Sequence, residues 1–89
     1  MDMKNDNKKQ IQNRLKRIEG QVRGLQKLVE ENKYCIDVIT QTSAVRSALK
    51  SVEDVLLKEH LSTCVVNQIK TGKQKKAVEE ILKVYKLKK

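Results

Sequence analysis

The chain has 89 residues, of which 38% are hydrophobic, with no Trp, no Phe and two Tyr. One small domain of this composition must build its core from Leu, Ile, Val and Ala, and so thin a core favours oligomerisation. The formal net charge is +9. A charge of this size favours binding to a polyanion, with nucleic acid the first candidate. The alternative is a soluble protein that has Lys-rich ends and no such partner.

Hydrophobic patterning bears on the compartment. No apolar run approaches the roughly 18 residues that a membrane span needs, and the first residues contain no hydrophobic signal region. We therefore expect a cytoplasmic protein. Its two cysteines are then reduced, and they indicate metal ligands or redox sensors more than a disulfide.

The N-terminal third predicts an arm followed by a helix. Residues 1–10 are polar and lack periodicity, so they are interpreted as a flexible arm. The first helix is predicted from apolar residues that recur every three or four positions: Ile11, Leu15, Ile18, Val22, Leu25 and Val29. Gly20 and Gly24 lie four apart on this helix, and we expect another backbone to approach closely there.

The rest of the chain predicts two further helices. After the polar break Glu31-Asn32-Lys33, residues 34–71 contain no Gly or Pro, which predicts one long helix. Gly72 suits a left-handed helix end, and a third helix is predicted over residues 73–86. Residues 34–72 carry four basic and four acidic side chains, and this neutral middle is interpreted as a buried central element. The expected fold is all-α, with residues 11–89 forming a single domain.

His60 and Cys64 form the first candidate ligand pair. Their i, i+4 spacing puts both side chains on one helix face, about 6 Å apart at Cβ. A helix commonly offers two metal ligands in this way. The alternative is a chance pair, since a buried Cys is also a common core residue.

Cys35 adds a third candidate ligand. It precedes His60 by 25 residues, which is about 38 Å along an unbroken helix. One chain with such a helix cannot join them, but two chains with antiparallel long helices can. Cys35 of one copy then meets His60 and Cys64 of the other, and a two-fold axis makes two equal sites.

Two thiolates and one imidazole favour Cu(I), because soft sulfur ligands select it. Structural zinc prefers four ligands, although zinc could bind here with water or a carboxylate as the fourth. Nickel and cobalt prefer more nitrogen or oxygen donors, and the chain has a single His.

Three stretches carry a resemblance to a known family: NRLKRIEGQVRG (residues 13–24), YCIDVITQ (residues 34–41), and His60 with Cys64. The chain resembles the copper-sensing repressor (CsoR) branch of the CsoR/RcnR family of metal-sensing transcription repressors. The resemblance implies an antiparallel four-helix-bundle dimer and a dimer-of-dimers tetramer. It also implies that the metal-free protein binds operator DNA, and that Cu(I) at Cys35, His60 and Cys64 releases it and derepresses copper-resistance genes.

The resemblance further implies that Tyr34 and Glu80 couple the metal-bound His to the rest of the protein. Without it, Tyr34 is equally a packing residue at a helix start, and Glu80 a solvated carboxylate. Persulfide sensors of the family lack the His, nickel or cobalt sensors use additional His, and formaldehyde sensors lack the second Cys. The copper pattern is complete here, but two nearby thiols could still respond to persulfide or oxidant.

The basic residues match no helix-turn-helix, zinc-finger or basic-zipper motif. The candidates for phosphate contacts are Arg14, Arg17 and Arg23 on the first helix, with Arg46 and Lys50 on the second. Arg14 matches a family position implicated in DNA binding; the alternative for each is a solvated charged face. A thiol redox enzyme is disfavoured because there is no CxxC motif, and a helical bundle or metallochaperone without DNA function is disfavoured by the charge. We therefore do not expect an enzyme.

Overall fold

A computed structural model describes residues 5–88 and contains only helices over that range. Helix α1 spans Asn5–Glu30 and α2 spans Cys35–Glu59. A π-helical segment, His60–Val65, and the short α3, Val66–Lys70, follow α2 without a break. Helix α4 spans Gln74–Lys88. The all-α class and the three helical stretches, the second one long, are confirmed.

Both breaks between the helical stretches are Schellman motifs. At the end of α1, Lys33 N–H donates to the Leu28 carbonyl at 3.0 Å, and Asn32 has a left-handed φ of 54°. At the end of α3, Lys73 N–H donates to the Gln68 carbonyl at 2.7 Å, and Gly72 has a φ of 78°. These bonds satisfy carbonyls that a helix end otherwise leaves unpaired. The predicted helix stop at Gly72 is confirmed.

The π-helical segment is a feature that the sequence analysis did not predict. A π-helix bonds each amide to the carbonyl five residues back, and such segments occur often at functional sites. Two successive hydroxyls accompany it: Ser62 Oγ donates to the Lys58 carbonyl and Thr63 Oγ1 to the Glu59 carbonyl, both at 2.7 Å. Because these hydroxyls compete with backbone amides for the same carbonyls, they favour a departure from regular α-helix.

The chain divides into two compact units, one up to Leu56 and one from Leu57 onward. In the first unit, α1 packs on α2 through a small apolar cluster of four buried residues: Ile11, Ile18, Val45 and Val52. Ala48, Val55 and Leu56 pack against this cluster. In the second unit, the π segment and α3 contact each other, α3 contacts α4, and Ala77 is buried.

One sequence expectation needs correction, and two others are not met within a single chain. Helix α1 begins at Asn5, so residues 5–10 are helical rather than part of an arm, and residues 1–4 lie outside the described residues. The central element is not buried in a single chain, because α1 covers only one stripe of α2 and leaves residues such as Ile36, Ile39 and Leu49 exposed. At Gly20 and Gly24, no backbone of another element in the described part of the chain comes within 4 Å of a Cβ position.

Over residues 5–88, no helix combines the length and the apolar character that crossing a membrane requires.

Candidate metal centre

The π segment carries two of the three predicted ligands. His60 is its first residue and Cys64 its fifth. The His60 side chain is 20% exposed, and Cys64 is a half-buried free thiol whose sulfur lies 3.8 Å from Thr63 Oγ1. Both residues therefore lie on one helical segment, which is π-helical instead of α-helical, and their pairing at a metal stays a prediction.

Cys35 occupies the first position of α2, in the other unit, and its thiol is exposed. Nowhere in residues 5–88 does a single chain bring together three His, Cys, Asp or Glu side chains in a group that could hold a metal ion. The described chain thus supplies a His–Cys pair and a separate accessible thiol.

Glu80 is the charged neighbour of His60. Its Oε2 lies 4.0 Å from His60 Nε2, and its Oε1 accepts a 2.8 Å hydrogen bond from Gln68 Nε2. At 4.0 Å the His60–Glu80 pair is too long for a hydrogen bond. The geometry nevertheless turns Nε2 toward a carboxylate, which leaves Nδ1 as the ring nitrogen available to a metal.

Gln68 was missed in the sequence analysis. Nothing in its local pattern marks it, because its partner Glu80 lies twelve residues away on a different helix. The turn at Gly72 was the available signal, since it folds α4 back onto the last turn of α3.

Tyr34 precedes α2, and its carbonyl accepts hydrogen bonds from Asp37 N–H at 2.9 Å and Val38 N–H at 3.3 Å. Its side chain is 69% exposed. Tyr34 belongs to the first unit and His60 to the second, so its link to the metal-bound His stays a prediction.

The predicted DNA-contact residues all lie in the first unit, in three kinds of environment. Arg14 is half-buried, and its Nη1 donates to Ser51 Oγ on α2 at 2.7 Å. Arg23 forms a 2.8 Å ion pair with Glu19, one turn earlier on α1. The other three candidates are exposed: Arg17, Arg46 and Lys50. Ser51 is a second residue that sequence reasoning missed.

An all-helical chain with a His–Cys pair beside a carboxylate, and with a separate basic region, has the features of a metal-responsive DNA-binding protein. The comparison with known sequences agrees. Residues 7–86 match the family described as "Metal-sensitive transcriptional repressor", and the chain belongs to that family. The family membership expected from the motifs is confirmed.

Several relatives have named functions. The chain is 52% identical over 79 residues to the copper-sensing transcriptional repressor CsoR of Bacillus subtilis, covering 89% of this chain and 78% of the relative. It is 61% identical over 59 residues to the copper-sensing transcriptional repressor RicR of Mycobacterium tuberculosis, covering 66% of this chain. That match spans 62% of RicR, somewhat less than two thirds of its length.

A solved structure shares the fold. The crystal structure of the copper-sensing repressor CsoR with Cu(I) from Geobacillus thermodenitrificans superposes with a TM-score of 0.91 at 42% identity. The comparison covers 98% of this chain and 91% of that one. Similarity of this extent supports the helical arrangement independently of the sequence motifs.

Proposed function

We propose that this protein is a Cu(I)-responsive transcriptional repressor of the cytoplasm. The metal-free form binds operator DNA, and Cu(I) binding releases it and derepresses copper-resistance genes. The observation that carries the proposal is the π segment, which contains both His60 and Cys64, with Glu80 Oε2 lying 4.0 Å from His60 Nε2. Relatives that share this fold are copper-sensing repressors.

The donor set fits Cu(I). Cys64 Sγ and His60 Nδ1 of one copy, with Cys35 Sγ of a second copy, would give two thiolates and one imidazole. Soft sulfur ligands favour Cu(I), and a ligating His commonly donates its other ring N–H to a carboxylate, as Glu80 allows. The exposed position of Cys35 at the start of α2 supports ligation across subunits.

Exposed apolar side chains support assembly into dimers and tetramers. The second unit leaves several large ones in solvent: Leu61, Val66, Ile69, Val78, Leu82 and Tyr85. So many exposed large apolar side chains on so small a unit favour burial against a partner. We propose an antiparallel four-helix-bundle dimer that pairs into a tetramer, with residues 11–89 acting as one functional domain.

DNA binding is assigned to the first unit. The hydrogen bond from Arg14 to Ser51 holds a cationic side chain of α1 against α2, the helix that carries Arg46 and Lys50. Arg46 and Lys50 are one turn apart and share a face of α2. We propose that these residues, with Arg17 and Arg23, contact phosphates, so that binding weakens steeply with salt. DNA must then lower the affinity for Cu(I) by the same factor by which Cu(I) lowers the affinity for DNA.

A thiol-sensing repressor of the same fold is the second candidate. The exposed Cys35 thiol is the observation that favours it, because accessibility is one requirement for oxidation or persulfidation. The presence of His60 favours copper, since an imidazole is a suitable Cu(I) ligand and the persulfide-sensor pattern of the family lacks this His. Zinc completed by water or a carboxylate is a third ligand to test.

The decisive experiment measures Cu(I) stoichiometry and coordination by X-ray absorption, with operator binding followed in parallel. We expect one Cu(I) per chain, two sulfurs and one nitrogen at the metal, and weaker operator binding at full loading. Release by persulfide or oxidant, but not by Cu(I), would support the thiol sensor instead.

Ligation across subunits has its own test. Subunits carrying Cys35→Ala are mixed with subunits carrying both His60→Ala and Cys64→Ala. If the ligands come from two copies, each mixed dimer regains one intact site, whereas neither variant alone retains one. Failure to regain a site in the mixture contradicts ligation across subunits.

A further inference from the structure

Gln68 is held in place through its backbone. Its carbonyl accepts the Lys73 N–H at 2.7 Å and the Thr71 hydroxyl at 3.3 Å, within the motif that ends α3. These bonds satisfy a carbonyl that the helix end would otherwise leave unpaired. The Gln68 backbone is therefore held by two hydrogen bonds at the point where its side chain begins.

The Gln68 side chain forms a hydrogen bond with α4. Gln68 Nε2 donates to Glu80 Oε1 at 2.8 Å, whereas Glu80 Oε2 lies 4.0 Å from His60 Nε2. Because one carboxylate oxygen is engaged, rotation of the group is restricted and the other oxygen stays directed at the His60 ring. Closing that gap to a hydrogen bond requires a shift of about 1 Å.

The amide orientation of Gln68 follows from its surroundings. Its Oε1 is buried and has no hydrogen-bond partner in the described part of the chain. Turning the amide over would place this oxygen against the Glu80 carboxylate, which can only accept while ionised. A buried acceptor without a partner is costly, so this conformation persists because the bond to Glu80 offsets the cost.

We propose that Gln68 is a positioning residue that holds the Glu80 carboxylate against the His60 ring and so transmits the state of His60 to α4. The inference rests on the proposed function, because it concerns how metal binding is coupled to DNA release. When His60 is a ligand, its Nε2–H needs an acceptor. Glu80, anchored by Gln68, supplies that acceptor without swinging into solvent.

The test compares Gln68→Met, which keeps the length of the side chain and removes the donor, with Gln74→Met at an exposed position on α4. Operator affinity is measured by fluorescence anisotropy with and without Cu(I), and Cu(I) affinity by competition with a chelator. The coupling factor is the ratio of operator affinity without Cu(I) to operator affinity with Cu(I). We expect this factor to be about tenfold smaller in Gln68→Met than in the wild type, as for loss of a hydrogen bond to a charged group. Metal-free operator affinity and one Cu(I) per chain should be retained, and Gln74→Met should match the wild type.

A double-mutant cycle separates positioning from packing. In a Glu80→Ala background, Gln68→Met should change the coupling no further, because its only proposed route is gone. Gln68→Lys restores a donor and should recover most of the coupling. In the metal-free protein, NMR should show slow solvent exchange of the Gln68 side-chain amide, and this protection should be lost in Glu80→Ala.

The outcomes distinguish the two proposals. If Cu(I) fails to release the wild type, the proposed function is wrong. If Cu(I) releases the wild type and Gln68→Met with the same coupling factor, the role of Gln68 is wrong and the proposed function stands. Additive effects of Gln68→Met and Glu80→Ala likewise overturn the positioning role.

Discussion

The two units of the chain are both helical, but they differ in regularity and in the functional groups that they carry. The unit up to Leu56 is regular, with α1 and α2 packing through a few apolar residues. Its candidate DNA-contact groups are exposed or half-buried cations, and it also carries the exposed Cys35 thiol. The unit from Leu57 onward is irregular, with a π segment, a short helix and a turn around His60, Cys64 and Glu80. Phosphate contacts tolerate a surface of long cationic side chains, whereas a metal centre needs side chains held in one geometry.

The largest expected effect comes from a change in the second unit that abolishes the response to Cu(I) and leaves operator binding intact. His60→Ala should abolish Cu(I)-driven release, because the imidazole ligand and the partner of Glu80 are both lost. Operator binding by the metal-free variant should remain within about twofold of the wild type, since His60 is not one of the residues proposed to contact phosphates. Titrations of operator binding with and without Cu(I) measure both quantities; continued release by Cu(I) would remove His60 from the switch.

The next largest effect comes from a change in the first unit that weakens operator binding and leaves Cu(I) binding intact. Arg14→Ala should weaken operator binding about tenfold, as expected for loss of a charged hydrogen bond, and should lower the salt slope by about one. Cu(I) stoichiometry should not change. Binding measured across a range of salt concentrations is the check, and an unchanged slope would remove Arg14 from the phosphate contacts.

The third prediction sharpens the contrast between regular and irregular helix. Thr63→Val keeps the side-chain shape but removes the hydroxyl bond to the Glu59 carbonyl. We expect Cu(I) affinity to fall about fivefold, on the scale of one lost hydrogen bond of about 1 kcal/mol, with metal-free operator affinity unchanged.

Its matched control is Thr40→Val. Thr40 makes the same kind of bond, to the Ile36 carbonyl at 2.8 Å, but within the regular α2. Chelator competition should show wild-type Cu(I) affinity for this variant. Equal losses in the two variants would contradict a special role for the π segment.

The smallest effect concerns the restraint on Arg14. Ser51→Ala removes its hydrogen-bond acceptor and frees the side chain, which must then be ordered on binding. We expect operator affinity to fall about threefold, on the scale of ordering one long side chain. Ser47→Ala, one turn earlier at an exposed position of α2, is the control and should bind as the wild type. No difference between the two variants would argue that the Arg14–Ser51 bond does not matter for DNA.

Local patterns predicted much of the fold and part of the site. The apolar spacing from Ile11 onward, the absence of Gly and Pro between Tyr34 and Thr71, and the stop at Gly72 were sufficient for three helices. Burial was predicted poorly: of the six stripe residues on α1, only Ile11 and Ile18 are buried. The helical period identifies which face of α1 is apolar. It does not identify which helix, of the same chain or of another copy, covers that face.

What the sequence determined by itself is therefore the set of groups: one His, two Cys, their spacing and a basic surface. Together with the family motifs, these groups indicate a copper-type repressor. Only the tertiary structure decided that His60 and Cys64 lie on a π-helical turn, and that Gln68 holds Glu80 at the His60 ring. The physical reason is that helix periodicity and metal preference follow from residue type and spacing. Hydrogen bonds across a turn instead depend on how two helices pack.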